Sequence, residues 1–252
     1  MSEAQSTSTA PADPASGILD ESQVQAMFDR MAGIYDRLNG LMTAGLHHRW
    51  RRRAVDLAQL TPGARVLDVA TGTGDLAFEL ARRVGAAGEV IAADFSVQML
   101  DLARAKYDAG QAGPQAAPVT FEQANALLLP HADGEFDGAT VGFGIRNFSD
   151  LDQGLRELRR VVRPGGRVVI LEMTTPRRPP LSLFFSVWFD RIVPLLGRIA
   201  GDSSAYTYLP NSVRRFPAPE RLAARMAEAG LVQINYLVTA GGIIAIHAGT
   251  VP

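Results

Sequence analysis

ARVLDVATGTGDLAFELARRV (64–84) is the stretch on which the whole fold is read. Its opening, ARVLDVA (64–70), is a short apolar run set off by Thr61-Pro62-Gly63, the pattern of a parallel strand buried on both faces. TGTGD (71–75) breaks the run, and LAFELARRV (76–84) carries helical spacing. Strand, glycine loop and helix in that order make a loop for a nucleotide-bearing cofactor. Gly72 and Gly74 let the backbone approach a ligand with no Cβ in the way, and Thr73 stands between them. The free N–H groups of the helix start point into the same space. Asp94 follows twenty residues after Gly74, at the end of the next strand, where a carboxylate can accept two hydrogen bonds from a ribose diol. Each such bond to a charged acceptor is worth roughly 1.5–3 kcal/mol. A glycine turn alone fits an ordinary tight turn; the strand pattern and the spaced Asp94 turn the reading toward a cofactor.

Outward from this unit the alternation continues. GEVIAAD (88–94) reads as a second strand and SVQMLDLARAKY (96–107) as a second helix. VTFEQANA (119–126) contains a third strand, FDGATVGFG (136–144) a fourth, and RVVILEM (167–173) a fifth. Between the last two, DLDQGLRELRRVV (150–162) is a helix closed by Arg163-Pro164-Gly165-Gly166. Strands and helices alternating at this spacing give an α/β, doubly wound parallel sheet. PERLAARMAEAG (219–230) is a further helix with Gly230 at its C-terminal end. LVQINYLVTAGGIIAIHAGTV (231–251) reads as two strands about an Ala-Gly-Gly turn, an antiparallel hairpin that finishes the sheet.

The flanks differ. Residues 1–17 are small, polar and proline-containing and are expected to form a disordered tail. From Val24 apolar residues recur at three- and four-residue steps as far as Met42, so 18–60 is expected to be an N-terminal helical cap. The main domain then spans 61–252, with a helical insertion at about 177–217. The start, MSEAQSTSTAPADPAS, has neither the basic residues nor the apolar run of a secretory signal, and no apolar run reaches the ~18–20 residues that span a bilayer. A net charge of −1 argues against bulk electrostatic binding of nucleic acid. With no cysteine, disulfides and thiolate metal sites are excluded, and with four histidines no histidine-rich metal site is expected. The cytoplasm is the expected compartment. Lys106 is the one lysine among 25 basic residues, so an isolated arginine in this chain signifies little.

GTGDLA also fits the dinucleotide pattern G-x-G-x-x-A, which sets a nicotinamide oxidoreductase against an S-adenosylmethionine methyltransferase. Three features favour the methyltransferase. Asp68 lies inside the first strand, where it can hold the glycine loop by accepting its N–H groups. Ala124-Asn125-Ala126 ends the third strand where an adenine edge would sit. The sheet closes in a hairpin, whereas a dehydrogenase more often continues into a second alternating domain.

Seven segments then follow one another in order: IYDRLNGLMTAGLHHRW (34–50), VLDVATGTGDLA (66–77), DFSVQMLDLAR (94–104), FGIRNFSD (143–150), RVVRPGGRVVILE (160–172), YTYLPNSVRRFP (206–217) and TAGGIIAIHAG (239–249). Together they resemble the menaquinone/ubiquinone biosynthesis C-methyltransferases, over about residues 24–250. The cofactor loop marks only the broad methyltransferase class; the other elements are far more specific. The resemblance implies a class I fold, Rossmann-like with a helical cap, and transfer of a methyl group from S-adenosylmethionine to a ring carbon of a polyprenylated hydroquinone, with demethylmenaquinol the first choice. A benzoquinol of ubiquinone biosynthesis, or another small hydrophobic acceptor such as a sterol or polyketide on the same fold, are the alternatives. It also implies that Thr73, Asp94, Asn125 and Ala126 contact the cofactor, beside the Asp68, Gly72 and Gly74 already placed there by the strand–loop–helix pattern; a carboxamide at Asn125 can pair with the adenine amino group. Gly142 stands where some members carry serine, so no side-chain contact is expected there.

Carbon methylation needs an electron-rich ring, which deprotonation of a ring hydroxyl supplies. Arg146 and Asn147 follow the fourth strand, at the edge where acceptors bind in open α/β sheets. Asn147 is expected to orient a ring oxygen and Arg146 to stabilise a phenolate or hold a proton-accepting water; a turn with Arg146 paired to Asp150 is the alternative. Tyr35, with Asp36, is expected to close the pocket from the cap, plain helix packing being the alternative, and Tyr206 and Tyr208 are similar cases. His247 is read as a buried, hydrogen-bonded histidine rather than a base, and His47 and His48 as facing solvent or cap. A polyprenylated substrate implies a bilayer. LSLFFSVWF (181–189), between Arg177, Arg178, Arg191 and Arg198, can lie in an interface or line a tunnel, or serve as a core helix of the cap. Arg49–Arg53 can meet anionic head groups or form a solvated helix face. The expected association is therefore a transient membrane-surface contact, peripheral at the inner face of the cell membrane, and a homodimer is left open.

Overall fold

The computed structural model of the chain describes residues 23–27, 29, 45–187 and 203–252. The expected tail, most of the expected cap with Tyr35 and Asp36, and residues 188–202 lie outside the described residues. ARVLDVA forms β1, Arg65–Val69, and the glycine loop leads into α2, Asp75–Val84. Preceding them is α1, His47–Ala58. Then come β2 (Glu89–Asp94), α3 (Val97–Asp108), β3 (Val119–Gln123), β4 (Phe136–Gly142), α4 (Leu151–Val161) and β5 (Val162–Met173). The helices α5 (Leu181–Val187), α6 (Ser203–Arg215) and α7 (Pro219–Glu228) precede the hairpin β6 (Val232–Thr239) and β7 (Ile244–Thr250).

The sheet runs β3-β2-β1-β4-β5-β7-β6. β1 to β5 are parallel, and β7 lies antiparallel between β5 and β6. The mostly parallel seven-stranded sheet with a closing antiparallel hairpin is thus the architecture expected from the sequence. Alternation along β5 divides its side chains between two cores. Val169 and Leu171 pack with Ala54 and Val55 of α1 and Leu80 of α2. Val168 and Ile170 pack on the opposite face with Leu155 and Leu158 of α4 and Leu222 and Met226 of α7. Burial of each valine, leucine, isoleucine or methionine among them is worth about 1.5–3 kcal/mol.

Helix starts follow local chemistry. Ser96 Oγ accepts the Met99 N–H at 3.1 Å and Asp150 Oδ1 the Gln153 N–H at 2.9 Å, caps worth ~1 kcal/mol each. Asp150 is therefore a helix cap. Arg163-Pro164-Gly165-Gly166 does more than end a helix. It lies within β5 as an irregularity, pairing with β4 at Phe136↔Val162 and again only at Gly138↔Arg167. The Gly165 N–H donates to Val251 O and the Val251 N–H to Gly166 O, each at 2.9 Å.

Strand order reverses at β1, whose neighbours are β2 and β4. Connections leave these strands in opposite directions and open a crevice at their C-terminal ends. After β4 the chain passes close to the end of β1: a Cβ on Gly144 would lie 2.4 Å from Cβ of Ala70, so no other residue fits there.

Candidate functional site

The glycine loop is held from below by two aspartates. Asp68 sits beside Thr140 in the β1–β4 register, and its Oδ1 accepts the Thr140 hydroxyl at 2.5 Å. Its Oδ2 accepts the Thr71 hydroxyl at 2.7 Å. Asp68 therefore anchors the loop through a hydroxyl and not through the N–H groups expected. Those go elsewhere: Thr71 N–H to Ala93 O, Gly74 N–H to Thr71 O, and Gly72 N–H to Asp94 Oδ2 at 2.8 Å. Asp94 also accepts the Ser96 N–H through Oδ1 at 2.9 Å. It thus joins the end of β2 to the loop after β1.

Both carboxylates are buried, Asp68 at 0% and Asp94 at 5% exposure. Burial pushes each pKa up to about 6; hydroxyls oppose the rise at Asp68 and backbone N–H groups at Asp94. Gly72 has φ +57°, left-handed backbone that glycine adopts without strain, and a Cβ there would meet nothing within 4 Å. The loop backbone is open to an incoming ligand at that point.

Behind the loop lies a charged cluster. Asp75, the first residue of α2, pairs with Arg51 of α1 at 3.1 Å and with Lys106 of α3. Lys106 also donates to Thr73 Oγ1 at 3.1 Å. Desolvation of Asp75 raises its pKa, but Arg51 and Lys106 outweigh it and hold the group below the ordinary carboxylate range. Arg51 is 7% exposed and lines the cavity. Within the basic run, Arg49, Arg52 and Arg53 face solvent, whereas Arg51 turns inward because Asp75 draws it there, and His47 is buried beside it.

Across the crevice, Ile145–Asn147 form a 3-10 turn after β4. Arg146 does not pair with Asp150. Its Nη1 donates to Glu172 Oε1 at 2.7 Å and to Phe143 O at 2.5 Å. Glu172 is 1% exposed and also accepts the Met173 N–H at 2.8 Å. Phe143, so held, has φ +60°. Asn147 lines the cavity; Arg146 is not among its lining residues. Tyr208 of α6, 6% exposed, donates from its hydroxyl to Asn147 Oδ1 at 3.0 Å. A Cβ on Gly142 would come 2.9 Å from Leu76 Cδ2, so Leu76 occupies the place a side chain there would need.

The cavity between these walls measures about 570 Å³. Asp68, Gly72, Thr73, Asp94, Asn125, Ala126 and Asn147 all line it; Gly74 lies behind, starting α2. The Asn125 side chain differs from expectation in one respect. Its Oδ1, the atom an adenine amino group would need, already accepts the Leu127 N–H at 2.9 Å. His247 is buried on β7 with Nε2 2.9 Å from Pro219 O, and burial holds its pKa below the ordinary value. It does not line the cavity. Arg51, Asp75 and Glu172 escaped the sequence reading. Glu172 had a signal, a charge inside the apolar run RVVILEM; Arg51 was masked by its basic neighbours.

A crevice at the strand-order reversal, a glycine loop and a closing antiparallel hairpin define a class I methyltransferase fold. Solved structures agree. A SAM-dependent methyltransferase from Thermotoga maritima matches with TM-score 0.62 at 19% identity, over 90% of this chain and 99% of that one. One from Aquifex aeolicus matches with TM-score 0.58 at 19% identity, over 80% and 89%. In sequence, the chain is 48% identical over 227 residues to the demethylmenaquinone methyltransferase of Thermus thermophilus, covering 90% of this chain and all of that one. It is 41% identical over 230 residues to the ubiquinone/menaquinone biosynthesis C-methyltransferase UbiE of Hahella chejuensis, covering 91% of each. Residues 17–251 match the model of the ubiE/COQ5 methyltransferase family, and the chain belongs to that family.

Proposed function

We propose that the protein methylates a ring carbon of a polyprenylated hydroquinone, with demethylmenaquinol as acceptor and S-adenosylmethionine as donor. The observation that carries the reading is the single cavity joining the glycine loop and Asp94 to the turn bearing Asn147. The residues suit the donor. Gly72 leaves its backbone open, Asp94 lines the cavity and suits a ribose diol through the lone pairs that Gly72 and Ser96 leave, and Arg51 suits a carboxylate end. Thr73, Asn125 and Ala126 line the remaining wall of the cofactor side. When bound, S-adenosylmethionine supplies an electrophilic methyl group on a sulfonium centre.

The chain's own task is to orient the ring and stabilise the charge its oxygen gains. Asn147 reaches the cavity and serves as hydrogen-bond donor to that oxygen. Arg146, tied to Glu172 and Phe143 O, fixes the turn that presents Asn147 and adds positive charge behind it. Alignment of this kind supplies several kcal/mol, up to roughly 7–11 in ideal cases. Tyr35, which lies outside the described residues, is kept as the candidate that closes the pocket from the cap.

The name of the Thermus thermophilus relative supports the naphthoquinol; that of the Hahella chejuensis relative covers both quinones. Exposed Arg49, Arg52 and Arg53 on α1, and exposed Leu181, Leu183 and Val187 on α5, support a peripheral membrane contact. No helix among the described residues is long and apolar enough to cross a membrane. The test is methyl transfer with reduced demethylmenaquinone and the corresponding reduced benzoquinone side by side. Turnover with the naphthoquinol first is expected; turnover with neither removes the proposal.

A further inference from the structure

Asn147 is tethered from outside the cavity. Its carbonyl oxygen faces Tyr208 of α6, a residue 61 positions away that contributes nothing to the cavity wall. Burial holds the Tyr208 phenol above its ordinary pKa, against the pull of Arg146 and Arg215, so at neutral pH it carries its proton and can donate. A primary amide has one acceptor end and one donor end, and the two ends differ little in shape. Packing alone therefore selects poorly between the two orientations of such a group; a phenol hydroxyl, a better donor than acceptor, favours the orientation that offers it the carbonyl oxygen.

We infer that Tyr208 is a positioning residue for methyl transfer: by donating to Asn147 Oδ1 it turns the amide so that Nδ2, not Oδ1, is presented to the acceptor ring's oxygen. The inference rests on the proposed hydroquinone reaction. The chemistry requires this polarity. Before carbon attack the ring oxygen gains negative charge, which an N–H donor stabilises and a carbonyl oxygen repels. Unclamped, the amide populates the wrong orientation and donates to the phenolate for only part of the time. Tyr208 so placed also links α6 to the acceptor end of the crevice, while the cofactor end is held by the Asp68 and Asp94 contacts.

The test is a double-mutant cycle of Tyr208→Phe and Asn147→Ala. It is read by single-turnover transfer of a radiolabelled methyl group to the reduced demethylmenaquinone, which remains measurable in slow variants. Tyr208→Phe removes one oxygen and keeps the ring, so melting temperature and S-adenosylmethionine affinity should match wild type. The rate of transfer should fall roughly tenfold, the size of one neutral hydrogen bond. Asn147→Ala should lower the rate further with near-normal cofactor binding, and adding Tyr208→Phe to it should change nothing more. A full rate in Tyr208→Phe overturns the inference. So does the same tenfold loss in the Asn147→Ala background, which would show that Tyr208 acts by another route. Wild-type protein inert toward both hydroquinones would instead remove the proposed function itself.

Discussion

Replacing Asp94 by Asn separates what this carboxylate does for the fold from what it does for a ligand. In the folded protein its pKa is pushed to about 6 from 3.8 by burial. That rise of about two units corresponds to ~3 kcal/mol given up to keep the group ionised at neutral pH. Asn carries no charge and escapes the penalty. It keeps one acceptor oxygen for either Gly72 or Ser96, and so loses one bond to a charged acceptor, worth roughly 1.5–3 kcal/mol. The two effects have opposite sign and similar size, so the melting temperature should move by only a few degrees. Binding has no such offset. Losing one charged acceptor for the ribose diol weakens S-adenosylmethionine roughly 10- to 150-fold in Kd. Calorimetric titration at neutral pH reads this directly. The pH dependence gives a second check. Because the folded pKa lies above the unfolded one, protonation near pH 6 relieves the buried charge, and this group makes the free protein more stable as the pH falls through 6. Binding favours the ionised form, so wild-type affinity should be level above about pH 7 and weaken below 6; the Asn variant should weaken less steeply, with Asp68 still titrating there. An Asn variant that binds S-adenosylmethionine as wild type does would refute the assignment.

Other perturbations have defined outcomes. Glu172→Gln removes the carboxylate paired with the buried Arg146 guanidinium, which should destabilise the fold by up to roughly 3–5 kcal/mol; an unchanged thermal unfolding curve would contradict the ion pair's role. Arg51→Ala should weaken S-adenosylmethionine by about tenfold or more but leave 5′-methylthioadenosine, which has no carboxylate, unaffected; equal losses for the two ligands would place Arg51 away from the amino-acid end. Arg52→Glu/Arg53→Glu, at two exposed positions, should reduce flotation with anionic liposomes, by about 1 kcal/mol for each arginine removed; undiminished flotation would remove the proposed membrane contact.

Much of the fold was legible because its signals are local. The turn residues before β1 and the glycine loop each fix a boundary through chemistry within a few residues. The cofactor side of the cavity was legible for the same reason, since Gly72, Thr73 and Asp94 lie in or beside one strand–loop–helix unit. What the sequence did not disclose depends on partners far along the chain. Arg51 turns inward only because Asp75 waits for it across another helix, while its neighbours Arg52 and Arg53 face water. Glu172 takes its meaning from Arg146, and Asn147 from Tyr208. The Asn125 amide follows the same logic at short range, its oxygen being taken by the Leu127 N–H through a tight turn. Ionisable side chains choose among several distant candidates, and one-dimensional spacing does not rank them.

The place of β7 has a consequence for biosynthesis. Ile244–Thr250 fits between β5 and β6, so the inner strand β5 has a bare margin until the ribosome has translated the chain through residue 250. A nascent polypeptide stalled short of that point would display the open backbone of RVVILEM to any neighbouring strand, the geometry that invites aggregation. Assembly of this half of the sheet therefore waits until residues 244–250 have been made, and deletions within them should yield insoluble product even though those residues stand apart from the crevice.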